Sequence, residues 1–100
     1  MIRYETSVEA ISVDMIADGF FEGWPNPPSK DVHMQILRRS SYVVLAVDDV
    51  TSNIVGFITA ISDGVLCSYI PLLEVLPRYR RQGIGNQLVH TMIRQRVTTT

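Results

Sequence analysis

A short basic turn between an apolar strand and an amphipathic helix is the segment of this sequence most suited to chemistry. It carries two adjacent arginines, Arg80 and Arg81, and two closely spaced glycines, Gly83 and Gly85. The first amides of a helix lack intrahelical partners, and the helix dipole places partial positive charge beside them. Glycines let a phosphate group approach the backbone, and arginines add formal positive charge. The pattern therefore predicts an anion site at the start of the last helix.

Two other phosphate-binding turns do not fit this segment. A dinucleotide fingerprint requires a third glycine at the position where this chain has Leu88. A P-loop requires the sequence Gly-Lys-Ser/Thr, which is absent. The pattern therefore argues against a dinucleotide-binding domain and against a P-loop NTPase.

The residues around the turn resemble motif A of the GNAT N-acetyltransferase family. Val75-x-Pro77 precedes Arg80-x-x-Gly83-x-Gly85, where the family has Gln/Arg-x-x-Gly-x-Gly/Ala. The resemblance covers essentially the whole chain and implies an α+β, GNAT-like acyl-CoA N-acyltransferase fold. That fold has a mostly antiparallel central sheet with flanking helices, here in the order β-α-α-β-β-β-α. The resemblance also implies acetyl-CoA as cosubstrate, no metal, and an amine of a small molecule or protein as acceptor.

The resemblance further implies where the coenzyme lies. The backbone of Leu73-Glu74-Val75 would pair with the pantetheine arm like an additional strand. The residues implied to bind the coenzyme at the turn are Arg80, Arg81, Gln82, Gly83, Ile84, Gly85 and Asn86. A bulge is expected near Pro71-Leu72, because a proline cannot donate to a strand ladder. In this family such a bulge would present an amide to the thioester oxygen as an oxyanion donor.

Candidates for acid–base chemistry and for acceptor binding are fewer. Glu74 and Tyr69 lie on the cleft-forming strand, where a carboxylate could deprotonate an amine directly or through water. The alternative for Glu74 is a solvent-facing or arginine-paired residue, and for Tyr69 it is strand packing. Phe21 and Trp24 either belong to the core or shape the acceptor pocket.

Three further side chains are not assigned to chemistry. Cys67 is interpreted as a small buried apolar residue, because no histidine is near it in the sequence. His33 and His90 have no partner at metal-ligand spacing, so we interpret them as surface or packing residues.

Helical signals occur at three places. Thr6-Ser7-Val8-Glu9 has the pattern of a capping box, and apolar residues at helical spacing predict a first helix from Val8 to Ile16. Ser29 caps a second predicted helix, whose buried face is expected to carry Val32, Ile36 and Leu37. The last helix is expected to follow Gln82. Its predicted apolar face consists of Ile84, Leu88, Val89, Met92, Ile93 and Val97.

The remaining apolar runs predict strands. A short strand is expected at residues 2–5, and longer antiparallel strands at 42–47, 54–61 and 65–76. The run at 42–47 is continuous and rich in β-branched residues, which is typical of a strand covered on both faces.

Length and composition limit the class of protein. The chain has 100 residues, 46% of them hydrophobic and 19% charged, so we expect a single partial N-acetyltransferase domain at 1–100. The net charge of −1 gives no attraction to nucleic acid or to an anionic membrane. The single cysteine favours a reducing compartment, which predicts a cytoplasmic location.

A complete GNAT domain continues past the motif A helix with a fifth strand and further elements. We therefore expect a truncated, frameshifted or minimal family member, whose exposed strand edge is closed in a homodimer. The leading hypothesis is an acetyl-CoA-dependent N-acetyltransferase. The alternatives are a non-catalytic GNAT-like module that binds coenzyme A or a partner, and an unrelated α+β domain with a structural Gly-x-Gly helix start.

Overall fold

The described part of the chain forms four strands and two α-helices. The computed structural model describes residues 1–63, 65 and 68–97. In chain order the elements are β1 (Ile2–Glu5), a 3₁₀ turn (Val13–Met15), α1 (Lys30–Arg39), β2 (Tyr42–Asp48), β3 (Asn53–Ser62), β4 (Ser68–Val75), a second 3₁₀ turn (Pro77–Tyr79) and α2 (Ile84–Val97). All neighbouring strands are antiparallel, in the order β1-β2-β3-β4. The expected α+β architecture, with helices against a central antiparallel sheet, is confirmed.

Both faces of the sheet are covered, and the described residues form one hydrophobic core on each face. Strand side chains alternate between the faces, which explains why β2 is apolar at successive positions. The core beneath α1 contains Ile11, Ile16, Phe21, Met34, Leu37, Val43, Leu45, Val47, Ile54 and Phe57. The core beneath α2 contains Val44, Ala46, Val55, Ile58, Ala60, Leu76, Ile84, Leu88 and Met92. The two cores hold α1 and α2 on opposite sides of the sheet.

β4 contains a bulge at its proline. Thr59 of β3 pairs with Leu72, and Ile61 pairs with Tyr69, so β4 has one more residue than β3 between these two pairs. The additional residue arises at Ile70 and Pro71, because Pro71 has no N–H to donate to the ladder. The bulge expected near Pro71-Leu72 is therefore confirmed.

α1 begins where its cap predicts but buries different residues. The hydroxyl of Ser29 accepts a hydrogen bond from the amide of Val32 at 3.2 Å. The buried side chains are His33, Met34 and Leu37. Val32 is 44% exposed, so its expected place in the buried face was wrong, and Ile36 is only half-buried. Leu37 is therefore the one residue of the predicted buried face that is fully buried.

The predicted first helix, from Val8 to Ile16, was wrong. That segment is irregular, apart from the 3₁₀ turn, and the hydroxyl of Ser7 accepts from the amide of Glu9 at 3.2 Å. Ile16 instead forms a parallel bridge to Ile54 on β3. β-branched residues and local serine hydrogen bonds weaken helix formation, and pairing with the sheet then decides the conformation.

α2 packs on the sheet through Ile84, Leu88 and Met92, which are at most 2% exposed. Val89 is half-buried and Ile93 is 49% exposed, so the apolar face is narrower than the sequence predicted. Among the described residues, no helix is long and apolar enough to cross a membrane.

Candidate active site

The start of α2 offers backbone amides that the helix itself does not use. Its first intrahelical hydrogen bond runs from the amide of Gln87 to the carbonyl oxygen of Gly83, at 3.0 Å. The amides of Ile84, Gly85 and Asn86 precede that bond. The first turn of α2 carries no acidic side chain, whereas the first turn of α1 carries Asp31. The local charge therefore suits an anion.

The turn before α2 has a left-handed backbone at two residues. Arg81 has a φ of 66° and Gly83 a φ of 82°. A Cβ built on Gly83 would meet nothing within 4 Å, so this glycine faces open space. The positive φ favours a glycine at this position, and a side chain would occupy the open space beside the helix start.

Two hydrogen bonds anchor this turn to the sheet. The guanidinium Nε of Arg80 donates to the carbonyl oxygen of Val75 at 3.0 Å, which ties the turn to the end of β4. The hydroxyl of Tyr79 donates to Oδ2 of Asp48 at 2.8 Å, which ties it to the end of β2. The Tyr79 hydrogen bond is the largest cause of the lowered pKa of Asp48. The helix start is therefore held in a fixed position beside β4.

Two neighbouring cavities lie along β4 and the start of α2. The larger, of about 520 Å³, is lined by Glu22, Trp24, Pro71, Leu72, Leu73, Glu74, Val75, Arg80 and Gly85. The smaller, of about 260 Å³, is lined by Val75, Tyr79, Arg80, Arg81, Gly83, Ile84, Gly85 and Asn86. Because Val75, Arg80 and Gly85 line both, the cavities form one groove from the basic turn to Trp24. The edge of β4 away from β3 faces no other strand in the described part of the chain.

Most of the residues predicted to bind a coenzyme line this groove. Leu73, Glu74 and Val75 lie in the larger cavity, and all but one of the turn residues lie in the smaller one or in both. Gln82 is the exception, since it lines neither cavity and its Nε2 donates to the carbonyl oxygen of Arg78 at 3.4 Å.

The catalytic and acceptor candidates are separated by the structure. Glu74 lines the larger cavity and accepts a hydrogen bond from the amide of Phe21 through Oε1, at 2.8 Å. Tyr69 lines neither cavity and is 67% exposed. Phe21 is 3% exposed and belongs to the core, whereas Trp24 is 49% exposed and lines the larger cavity. The two aromatic candidates therefore have different surroundings.

Sequence reasoning missed two residues that line the groove. Glu22 lies between the two aromatic candidates, and its position in the loop was the only available signal. Tyr79 lies inside the motif segment, but its bond to Asp48 joins positions 31 residues apart. A single sequence offers no signal for such a pair.

His33 is a packing residue in the core. It is 2% exposed, and its ring centroid lies 4.6 to 5.2 Å from those of Phe20, Phe21 and Phe57. Burial lowers its pKa from 6.5 to about 4. His90 is exposed, and Cys67 lies outside the described residues. Within the described ranges, no group of three or more His, Cys, Asp or Glu residues is placed to hold a metal ion.

The family of the chain follows from a comparison with profiles of protein families. The profile of the acetyltransferase (GNAT) family matches residues 12–96. The chain belongs to the GNAT acetyltransferase family. None of the curated proteins compared with the chain matches it.

Solved structures of GNAT proteins share the fold. A candidate acetyltransferase from Deinococcus radiodurans superposes with a TM-score of 0.88 at 38% identity, over 94% of this chain and 64% of that one. A GNAT family protein from Streptococcus pneumoniae has a TM-score of 0.69 at 30% identity, over 93% and 66% of the two chains. An aminoglycoside 6'-N-acetyltransferase complexed with coenzyme A has a TM-score of 0.74 at 23% identity, over 99% and 56%. The chain therefore spans less than two thirds of the length of these relatives.

Proposed function

We propose that the chain binds acetyl-CoA in the groove and transfers the acetyl group to an amine of a small molecule or protein. The observation that carries this proposal is the continuous groove from the start of α2, along the outer edge of β4, to Trp24. The pyrophosphate would lie against the amides of Ile84 to Asn86, with Arg80 and Arg81 beside it. The pantetheine arm would pair with the backbone of Leu73-Glu74-Val75.

The residues of the groove fit such a ligand. Gly83 faces open space beside the helix start. The first turn of α2 carries no carboxylate that would repel a phosphate group. The outer edge of β4 retains backbone groups that a polar arm could pair with. The solved aminoglycoside acetyltransferase of the same fold is complexed with coenzyme A, which supports the same ligand class here.

The chemistry that we propose is direct attack by a neutral amine on the thioester carbonyl, without an acyl-enzyme. A C–N bond forms, the C–S bond breaks, the amine loses a proton and the departing thiolate gains one. The bulge of β4 would direct an amide toward the thioester oxygen. Two carboxylates line the larger cavity, Glu22 and Glu74, and either could accept the proton of the amine, whereas Tyr69 lies outside the groove.

We place this activity in one partial domain at 1–100, acting in the cytoplasm. The single cysteine supports a reducing compartment, and the two cores on a shared sheet support one folding unit. The acceptor is proposed only as an amine, because the residues that line the larger cavity do not single out one class of amine.

Binding of the coenzyme can be tested at Gly83. We expect Gly83→Val to reduce the affinity for coenzyme A by about tenfold or more, because a branched side chain fills the space over the helix start. Isothermal titration calorimetry measures the affinity. Gly23→Val is a matched control, since Gly23 also has a left-handed φ, of 87°, with nothing within 4 Å. Equal affinities of wild type and Gly83→Val would place the coenzyme elsewhere.

Acetyl transfer needs an assay separate from the measurement of coenzyme A affinity. Release of free thiol from acetyl-CoA in the presence of a panel of amines reports turnover. Thiol release that depends on both acetyl-CoA and an amine supports the transferase. Coenzyme A binding without thiol release from any amine would instead favour the non-catalytic module.

A further inference from the structure

The loop between the first 3₁₀ turn and α1 has left-handed backbone at alternate residues. Gly19 has a φ of 112°, Phe21 of 61° and Gly23 of 87°. Glycine adopts this conformation freely, but a residue with a Cβ crowds its own backbone there. Phe21 therefore requires fixed contacts that compensate for its conformation.

Two kinds of contact hold Phe21. Its ring is buried against Trp24 and His33, with centroids 4.9 Å away in both cases, and lies 6.0 Å from the ring of Phe57. Its amide donates to Oε1 of Glu74 at 2.8 Å. The rings hold the side chain, whereas the carboxylate holds the backbone.

Glu74 occupies a strand position that faces the apolar core beneath α1. It pairs with Phe57 across the sheet, and cross-strand partners project from the same face. Phe57 belongs to that core, and Leu72, two residues before Glu74, packs against it. A half-buried carboxylate beside apolar side chains loses part of its hydration, and a hydrogen bond from a backbone amide compensates for that loss. The amide of Phe21 supplies that bond.

We propose that Glu74 is a positioning residue that locks the loop at 19–24 against β4. The amide of Trp24 donates to the carbonyl oxygen of Phe21 at 3.1 Å, so fixing Phe21 also fixes Trp24. Trp24 and Glu74 line the same cavity, and the lock therefore sets the distance between the acceptor wall and the strand that carries the coenzyme. The functional consequence rests on the proposed acetyl transfer, but the lock itself does not.

The fluorescence of Trp24 tests the lock directly, because Trp24 is the single tryptophan of the chain. We expect Glu74→Ala to shift its emission to longer wavelength and to increase quenching by acrylamide, with the far-UV circular dichroism retained. Glu74→Gln keeps a carbonyl oxygen for the amide of Phe21 and should resemble wild type. Glu22→Ala is the matched control, since it removes a carboxylate from the same loop and cavity. Wild-type fluorescence in Glu74→Ala would overturn the proposal.

A second comparison separates positioning from proton transfer and does not depend on the alanine variant folding. Glu74→Asp retains a carboxylate but is one methylene shorter, so it no longer reaches the amide of Phe21 at hydrogen-bond distance. If Glu74 positions the loop, Glu74→Gln should resemble wild type in its tryptophan emission and in its KM for the acceptor. Glu74→Asp should instead shift the emission to longer wavelength and raise that KM by about tenfold. If Glu74 were a general base, Glu74→Asp would keep a higher kcat than Glu74→Gln, because glutamine cannot accept the proton. That result would overturn the proposal. The fluorescence arm needs no coenzyme, so it is decided even if wild type fails to bind coenzyme A.

Discussion

At the scale of single residues, His33 is the group through which pH should act on the folded chain. Its Nε2 has no hydrogen-bond partner among the described residues, and burial lowers its pKa to about 4. In the unfolded chain a histidine titrates near pH 6.5, so between these values only the unfolded chain binds the proton. The free energy of unfolding should therefore keep its full value above pH 6.5 and decrease as the pH falls toward 4.

This effect is measurable by urea unfolding at pH 7.5 and pH 5. We expect wild type to lose about 2 kcal/mol between these values through His33. His33→Leu should lose much less, because no imidazole remains to be protonated in the unfolded chain. His90→Gln changes the other, exposed histidine and serves as control. An equal pH dependence of wild type and His33→Leu would show that other groups cause it.

The sequence predicts residues well where the signal is local. The turn from Arg80 to Asn86 is recognisable because its glycines, arginines and helix start are adjacent, and all but Gln82 line the groove. The bond between Glu74 and Phe21 joins positions 53 residues apart, and no local pattern marks it. The role of Glu74 as a positioning residue therefore emerges only from the folded chain.

At the scale of elements, Gly56 of β3 sets how closely α2 approaches the sheet. A Cβ at this position would lie 3.3 Å from the carbonyl oxygen of Glu74 and 3.4 Å from side-chain atoms of Ile84 and Leu88. Both helix side chains are buried, and the carbonyl is backbone, so none of them can move away easily. We expect Gly56→Ala to lower the free energy of unfolding by about 1–3 kcal/mol and to weaken coenzyme A binding. Chemical denaturation and calorimetry measure the two effects.

Gly85→Ala provides the control for stability. Its Cβ would meet the side chain of Val75 at 3.9 Å, an ordinary contact, and alanine is favoured over glycine inside a helix. This variant should be at least as stable as wild type. Unchanged stability of Gly56→Ala would mean that α2 can shift on the sheet without cost.

Elements were predictable where local preference and tertiary contacts agree. α1 has both a serine cap and basic residues in its last turn, and β2 has a continuous apolar run that both cores cover. The predicted first helix failed because its strongest apolar residues, Ile11 and Ile16, reach the core without helical spacing. Ile16 bridges Ile54, and that pairing cannot be read from periodicity.

At the scale of the whole molecule, the two edges of the sheet differ in a way that bears on association. β1 is short, and Arg3 on it pairs with Glu5 and Asp49, so charged side chains protect that edge. β4 has eight residues, and its exposed apolar side chains are Tyr69, Ile70 and Leu73. No strand covers its outer edge within residues 1–63, 65 and 68–97. An apolar, unprotected edge of this kind favours pairing with another chain.

We therefore propose a homodimer in which the β4 strands of two copies pair antiparallel about a two-fold axis. Coenzyme A would compete with this dimer, because the pantetheine arm is proposed to pair with the same edge at Leu73-Glu74-Val75. Sedimentation velocity at low micromolar concentration should show a dimer that coenzyme A converts to monomer.

Ile70→Lys should weaken the dimer by placing a charge on the edge, whereas Val50→Lys, at a residue 84% exposed between β2 and β3, should not. A monomer at every concentration, or a dimer that both lysine variants leave intact, would contradict pairing through β4. A dimer that persists with coenzyme A bound would place either the partner or the pantetheine arm on another surface.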